Sequence, residues 1–159
     1  MVAARFVETG HPVDYHGVKA VGDGEIIARP ERHLAKIGEG EAGDVVLFHT
    51  GWLNLSDTDP VRFMSGQPGL GVDGAKYLAQ QGVVAVGADT WALEVLPAEI
   101  EGEQFPVHPE LLAKNGVYIL ENMVTEELIE DGVDRFMFVL GQARLEGAVQ
   151  MIINPVAIR

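Results

Sequence analysis

The sequence predicts an α/β fold in which short helices cover a mixed sheet. Two observations lead to this class. Short runs that are apolar on both faces alternate with segments of helical spacing, and strand–helix–strand order recurs along the chain. Two of the apolar runs end on an acidic residue, Asp89 or Glu121.

Composition limits the possible functions. The 159 residues suit one ordinary domain, so residues 1–159 are expected to fold as a single unit. A net charge of −13 argues against nucleic acid or an anionic membrane surface as a partner, and a small-molecule substrate is the expected one. The chain has no cysteine, which excludes disulfides and thiolate metal sites. No apolar stretch resembles a signal peptide or a membrane span, so a cytoplasmic protein is predicted.

The first half of the chain contains two predicted strands. Residues 1–43 show little periodicity and offer one short helix, which begins at Pro30 and ends at Gly38 or Gly40. The elements predicted after it are a buried strand at 44–50, a helical turn at Val61–Met64, a helix at 71–82 ended by Gly82, and a second buried strand at 83–89.

The second half repeats the alternation. A short helix is predicted from His108 to Lys114, and Asn115-Gly116 ends it. A third strand follows at 117–121, and a helix at 125–132 has Thr125 as its predicted N-cap. The stretches RFMFVLG and VQMIINPVAI are predicted as the last two strands.

Asp89, Thr90 and Glu94 follow the second buried strand. Ligand and catalytic groups of α/β sheets tend to lie just beyond the carboxyl ends of strands, so Asp89 is a candidate substrate-binding residue. The alternative is that Asp89 caps the following turn and Thr90 satisfies backbone groups.

His108 and Glu121 can converge on one edge of the sheet, because one begins a helix and the other ends the next strand. An imidazole and a carboxylate together suit Zn²⁺ or Mn²⁺, and they equally suit an acid–base pair. Otherwise His108 only starts its helix and Glu121 points into water.

A second candidate metal site lies in TGHPVDYHG, where His11, Asp14 and His16 fall within six positions. Three such side chains can bind one ion and leave a position open for water. A solvated loop near the terminus is the alternative.

The sequence contains no nucleophile motif G-x-S-x-G, no P-loop and no G-x-G-x-x-G ahead of a helix. Metal-assisted activation of water is therefore the best-supported chemistry. Trp52, Phe63, Met64 and Trp91 are candidate walls for a flat, partly aromatic substrate, with ordinary core packing as the alternative.

Four stretches in order resemble the C-terminal part of the cyclase superfamily, which contains bacterial kynurenine formamidase and isatin hydrolase. They are GDVVLFHTGW, PGLGVDGAKYLAQQGVVAVGADTWALEVLP, FPVHPELLAKNGVYILENM and RLEGAVQMIINPVAI, spanning about residues 43–159. The resemblance implies a swivelling β/β/α fold, a homodimer or higher oligomer, and hydrolysis of an amide or cyclic amide with Zn²⁺ or Mn²⁺. It also implies that His108 and Glu121 belong to the metal site.

The family's N-terminal metal signature, H-x-G-T-H-x-D-x-P-x-H, is not found in this sequence. Residues 1–42 are therefore an atypical segment, and the family fold is expected to be N-terminally shortened. Three explanations are open: His11, Asp14 and His16 replace the signature, a partner chain completes the site, or metal hydrolysis has been lost.

The predicted function is metal-dependent hydrolysis of a C–N bond, with His108, Glu121 and His16 as catalytic residues. The first alternative is a metal-free binding or accessory protein of the same fold. The second is a lyase or dehydratase that uses His108 and Glu121 as acid and base without a metal.

Overall fold

The computed structural model describes residues 3–8 as backbone, and residues 42–133 and 135–159 in full. The helix predicted to begin at Pro30 lies outside the described residues, as do His11, Asp14 and His16. The proposals that depend on those three side chains therefore stay predictions.

The described strands form one six-stranded sheet in the order β4-β3-β2-β1-β5-β6, and its mixed character is as the sequence predicts. The first four strands are parallel, whereas β5 runs antiparallel to both β1 and β6. The strands are Ala3–Glu8 (β1), Val45–His49 (β2), Ala85–Ala88 (β3), Tyr118–Leu120 (β4), Arg135–Val139 (β5) and Val156–Ile158 (β6).

Short helices connect the strands, and local sequence explains where several of them begin. Asp59 accepts a 3.0 Å hydrogen bond from the Arg62 amide, and Pro60 occupies the first helical position of the second helix. The described helices are Leu55–Thr58 (α1), Pro60–Ser65 (α2), Val72–Gln80 (α3), the π-helical Pro109–Lys114 (α4) and Glu126–Glu130 (α5), with a 3₁₀ turn at Trp52–Asn54.

The sheet separates two apolar clusters, because successive side chains of a strand point to opposite faces. On one face Val46 and Val86 pack with residues of α3 and α4, including Leu78 and Leu111. The cluster that contains Leu47, Met123, Leu128, Phe136 and Phe138 packs against α5. Alternating strand residues thus serve two cores, which explains why these runs are apolar throughout.

Several elements differ from the sequence prediction. The sequence predicts no strand in residues 1–43, but Ala3–Glu8 forms β1, which lies between β2 and β5 in the sheet. The stretch VQMIINPVAI is strand only at Val156–Ile158, where it pairs with β5. Thr125 is the N-cap residue of α5, as predicted, but its side chain makes no capping hydrogen bond. Its hydroxyl is instead engaged 2.8 Å from His49 Nδ1.

None of the described helices is long and apolar enough to span a membrane.

Candidate active site

Three polar side chains lie at the carboxyl ends of neighbouring parallel strands. His49 ends β2, Asp89 follows β3 and Glu121 follows β4. The backbone of the last two connections is joined, since the Asn122 amide donates to the Thr90 carbonyl at 2.9 Å and the Met123 amide to the Ala88 carbonyl at 2.9 Å. This edge of the sheet is therefore a place where polar groups from distant parts of the sequence meet.

A buried carboxylate, Glu94, lies behind His108. The Glu94 side chain is 1% exposed, and it accepts hydrogen bonds from the amides of Val107 at 2.9 Å and His108 at 3.3 Å. Its Oε1 also contacts His108 Nδ1. Because His108 immediately precedes α4, whose first residue is Pro109, the start of this helix fixes where the imidazole is placed.

The other imidazole nitrogen faces Glu121. His108 Nε2 lies 3.4 Å from Glu121 Oε1, and each of these side chains is 25% exposed. The hydrogen bonds to Glu121 and then to Glu94 raise the pKa of His108 to about 9, although partial burial opposes that shift. Without a bound cation, the imidazolium thus links two carboxylates.

Unusual backbone conformations accompany both carboxylates. Leu93, which precedes Glu94, has φ 58°, and Asn122, which follows Glu121, has φ 52°. Left-handed backbone is costly for a residue other than glycine, most of all for one such as leucine. Residues held in this way cluster at functional sites, where surrounding contacts fix the geometry.

Asp89 organises the neighbouring loop. The carboxylate is buried and accepts hydrogen bonds from the Thr50 amide at 2.8 Å, the Thr50 hydroxyl at 2.7 Å and the Gly51 amide at 2.6 Å. These bonds hold the turn after β2, where Gly51 has φ 75°. Asp89 was expected either to bind substrate or to cap its own following turn. In the structure it instead holds the loop that follows β2, at Thr50 and Gly51. Its contact with substrate stays a prediction.

The three predicted aromatic wall residues lie together. The indole nitrogens of Trp52 and Trp91 both donate to the Phe63 carbonyl, at 3.3 and 2.9 Å. Trp52 is buried, whereas Trp91 and Phe63 are partly exposed. The shared acceptor fastens α2 to the loop after β3, so any role of these indoles toward a ligand is through their ring surfaces.

A fourth aromatic residue, Phe105, was not singled out from sequence. Its ring meets the His108 imidazole edge to face, with centroids 5.4 Å apart and an interplanar angle of 70°. Phe105 is 40% exposed, so it presents an apolar surface directly beside the imidazole. No periodic pattern identifies it, because it lies in an irregular segment between Glu103 and Val107.

His108 and Glu121 form a pair that can hold a divalent cation. With bonds of about 2.0–2.2 Å, tetrahedral Zn²⁺ places two ligand atoms about 3.3–3.6 Å apart. His108 Nε2 and Glu121 Oε1 are 3.4 Å apart. The carboxylate of Glu94 on the remaining ring nitrogen is the orientation that metal-binding histidines require. Within residues 42–133 and 135–159, no set of three or more acidic or histidine side chains is arranged to hold an ion. The described donors fit two positions of such a site.

The structure therefore brings together His108 and Glu121, which the sequence predicts as a pair. The partner that sequence reasoning missed is Glu94. The sequence does contain a clue, because Glu94 lies inside the apolar stretch WALEVL. An acidic residue in such a stretch indicates a buried carboxylate, which must accept hydrogen bonds from other groups.

A model of the Cyclase family matches residues 1–95 of the chain. The match includes the segment before residue 43 and contains Glu94, whereas His108 and Glu121 lie beyond it. No curated protein matches the chain.

Several solved structures share the fold. A novel cyclase is 29% identical, with a TM-score of 0.77 over 99% of this chain and 53% of its own. An isatin hydrolase bound to the product analogue thioisatinate is 17% identical, with a TM-score of 0.72, 98% of this chain and 59% of its own. A potential metal-dependent hydrolase with cyclase activity is 20% identical, with a TM-score of 0.59, 98% of this chain and 64% of its own. The chain thus spans between half and two thirds of the length of these structures.

Proposed function

The chain belongs to the Cyclase family, and from that premise we propose that it is a metal-dependent hydrolase of an amide or cyclic amide. The observation that carries the proposal is the placement of His108 Nε2 3.4 Å from Glu121 Oε1 with Glu94 behind the ring. The hydrolase names of two fold neighbours, one an isatin hydrolase and one described as metal-dependent, support the same reaction class.

His108 and Glu121 would hold the ion, which would be Zn²⁺ or Mn²⁺. When bound, such an ion supplies Lewis-acid activation of water at neutral pH. Glu94 keeps the Nδ1 side of His108 occupied, so that Nε2 is the atom directed outward. The remaining ligands are expected from His11, Asp14 and His16 or from a partner chain, and His16 is the expected additional catalytic residue.

The substrate class follows from the surroundings of the pair. Phe105 beside His108, together with the partly exposed Trp91 and Phe63, offers ring surfaces suited to a flat, partly aromatic molecule. An amide fused to an aromatic ring combines such a surface with a C–N bond open to attack by water. Trp52 and Asp89 would support these walls.

Metal content tests the proposal. Purified protein is incubated with Zn²⁺ or Mn²⁺, desalted and measured by elemental mass spectrometry, and the double variant His108→Ala, Glu121→Ala is treated identically. The exposed pair Glu101→Ala, Glu103→Ala is the matched control. Near-stoichiometric metal that only the site variant loses supports the hydrolase. No retained metal after loading refutes it.

A second candidate is metal-free acid–base catalysis by a lyase or dehydratase. It is favoured by the raised pKa of His108, about 9, which keeps the imidazole a proton donor at neutral pH beside the carboxylate of Glu121. Turnover that persists in a chelator and is lost in His108→Gln supports this reaction over hydrolysis. Ligand binding without any turnover would indicate the accessory protein.

A further inference from the structure

A buried glutamine, Gln67, contacts the loop that carries Glu94, the residue that contacts His108. Gln67 follows α2 and is 2% exposed. Its Nε2 donates to the Glu94 carbonyl at 2.7 Å, and its Oε1 accepts from the amides of Trp91 at 2.9 Å and Ala92 at 3.2 Å. A side-chain amide can donate and accept at once, and here it does both across a single loop.

The backbone around Gln67 reinforces this contact. Gln67 and Leu96 exchange two hydrogen bonds of 3.0 Å, the Leu70 amide donates to the Leu93 carbonyl at 2.9 Å, and the Val95 amide donates to the Leu70 carbonyl at 3.2 Å. Residues 67–70 therefore lie along residues 93–96 outside the main sheet, joined by two isolated bridges, one antiparallel (Gln67–Leu96) and one parallel (Leu70–Glu94), and we call this pairing the ladder.

Leu93 lies inside this ladder with φ 58° and a fully buried side chain. A left-handed leucine persists only where the surroundings fix it, because the conformation costs of order 1–3 kcal/mol. Gln67 bonds the backbone on both sides of Leu93, at Ala92 and at Glu94. The direction in which the Glu94 side chain leaves the loop depends on that conformation.

We propose that Gln67 is a positioning residue that holds the Leu93–Glu94 backbone so that the Glu94 carboxylate stays against Val107 and His108. The side-chain hydrogen bonds of Gln67 go to the backbone of Trp91, Ala92 and Glu94, so it acts on His108 through Glu94. Its consequence for a bound cation rests on the proposed function, whereas its effect on Glu94 and His108 is a property of the chain itself.

The test measures whether a change at Gln67 reaches the far side of Glu94. Gln67→Met keeps the length of the side chain and removes its hydrogen bonds. Gln67→Glu keeps an acceptor for Trp91 and Ala92 but replaces the donor to the Glu94 carbonyl with an oxygen. Gln80→Ala, at the exposed end of α3, is the matched control.

Amide hydrogen exchange is followed at Trp91 and Ala92, which donate to Gln67, and at Val107 and His108, which donate to Glu94. In Gln67→Met we expect all four amides to exchange about tenfold faster or more, as loss of a buried hydrogen bond gives. In Gln67→Glu we expect the Val107 and His108 amides to accelerate at least as much as the other two. Because His108 Nδ1 contacts the Glu94 carboxylate, we expect its ring proton to give a downfield signal in spectra of histidine-labelled wild-type protein, to broaden in both variants and to persist in Gln80→Ala.

Acceleration at Trp91 and Ala92 alone, with the Val107 and His108 amides and the ring proton unchanged, would overturn the proposal. If both variants fail to fold, the test is native-state hydrogen exchange of the wild-type protein. If the four amides open together as one cooperative unit, their exchange gives the same opening free energy, as the proposal requires. Independent opening of the two pairs would then overturn it. All of these readouts use metal-free protein, so they remain decisive even if the chain binds no cation.

Discussion

His108 Nε2 lies 3.4 Å from Glu121 Oε1, although a helix and a strand separate the two residues along the chain. The parallel arrangement of β3 and β4 produces this approach, because the chain leaves β3 at the carboxyl edge, passes through α4 to the start of β4, and β4 then runs back to that same edge, where Glu121 follows it. The same arrangement brings Glu94, from the loop after β3, to the other side of the imidazole. A histidine between two carboxylates is thus a consequence of topology, and each partner can be changed separately.

Glu94→Gln is expected to weaken Zn²⁺ or Mn²⁺ binding about 10- to 100-fold, the loss typical when the partner of a ligating histidine is changed. The amide retains the shape of the side chain but not its charge, so His108 is less firmly oriented and less basic. Titration calorimetry with each metal measures the change, and Glu101→Gln at an exposed position is the control. Equal affinity in Glu94→Gln and wild type would exclude this role.

The metal-free protein should lose stability as pH rises from about 6.5 to about 9. Hydrogen bonds to Glu121 and Glu94 raise the pKa of His108 from 6.5 to about 9 on folding, so the folded state binds the proton more tightly. The resulting stabilisation is fully present below pH 6.5 and disappears as pH passes through 9. Urea unfolding at several pH values in the presence of a chelator measures it. His108→Gln should remove this dependence, and parallel curves for both proteins would contradict the assignment.

Much of the fold could be predicted because its elements are marked locally. Apolar runs identify β2 and β3, and Gly82 marks the end of the segment that contains α3. The contact between Thr125 and His49 could not be predicted, since it joins residues distant in sequence and replaces a local cap. Glu94 was recognised as a polar group beyond β3, but its pairing with His108 depends on a left-handed Leu93, which no sequence rule indicates for leucine.

Asp89→Asn is expected to lower the free energy of unfolding by about 3 kcal/mol. In the wild type the Asp89 carboxylate accepts hydrogen bonds from three donors: the Thr50 amide, the Thr50 hydroxyl and the Gly51 amide. The substitution replaces one carboxylate oxygen with an amide nitrogen, which cannot accept a hydrogen bond from them. Denaturant unfolding measures the loss. Asp57→Asn, at an exposed position in α1, should change stability by less than about 0.5 kcal/mol. Similar stabilities for the two variants would show that the carboxylate is not essential to the loop.

Gly69→Ala tests the ladder that supports Glu94. A Cβ at Gly69 would overlap the carbonyl group of Glu94 and the nitrogen of Val95, and backbone atoms cannot move aside as a flexible side chain can. We expect a destabilisation of about 2–3 kcal/mol, the upper range for overpacking, together with weaker metal binding. Gly141→Ala is the control, because a Cβ there meets no atom within 4 Å. Thermal unfolding that shifts equally in both variants would argue against close packing at Gly69.

Phe105→Leu is expected to act on substrate binding rather than on the chemical step. The ring meets His108 edge to face at 5.4 Å and is 40% exposed, so its loss removes a surface for an aromatic substrate and leaves the buried carboxylate behind His108 in place. For a cyclic amide fused to an aromatic ring, KM should rise about tenfold with kcat little changed, because removal of uniform binding raises KM alone. An aliphatic amide should show a much smaller effect. Tyr118→Leu, another exposed aromatic residue, lies at the start of β4 away from the carboxyl edge and should alter neither constant. An equal increase in KM for both substrates, or a fall in kcat alone, would show that Phe105 serves to hold His108 and does not form a wall of the substrate site.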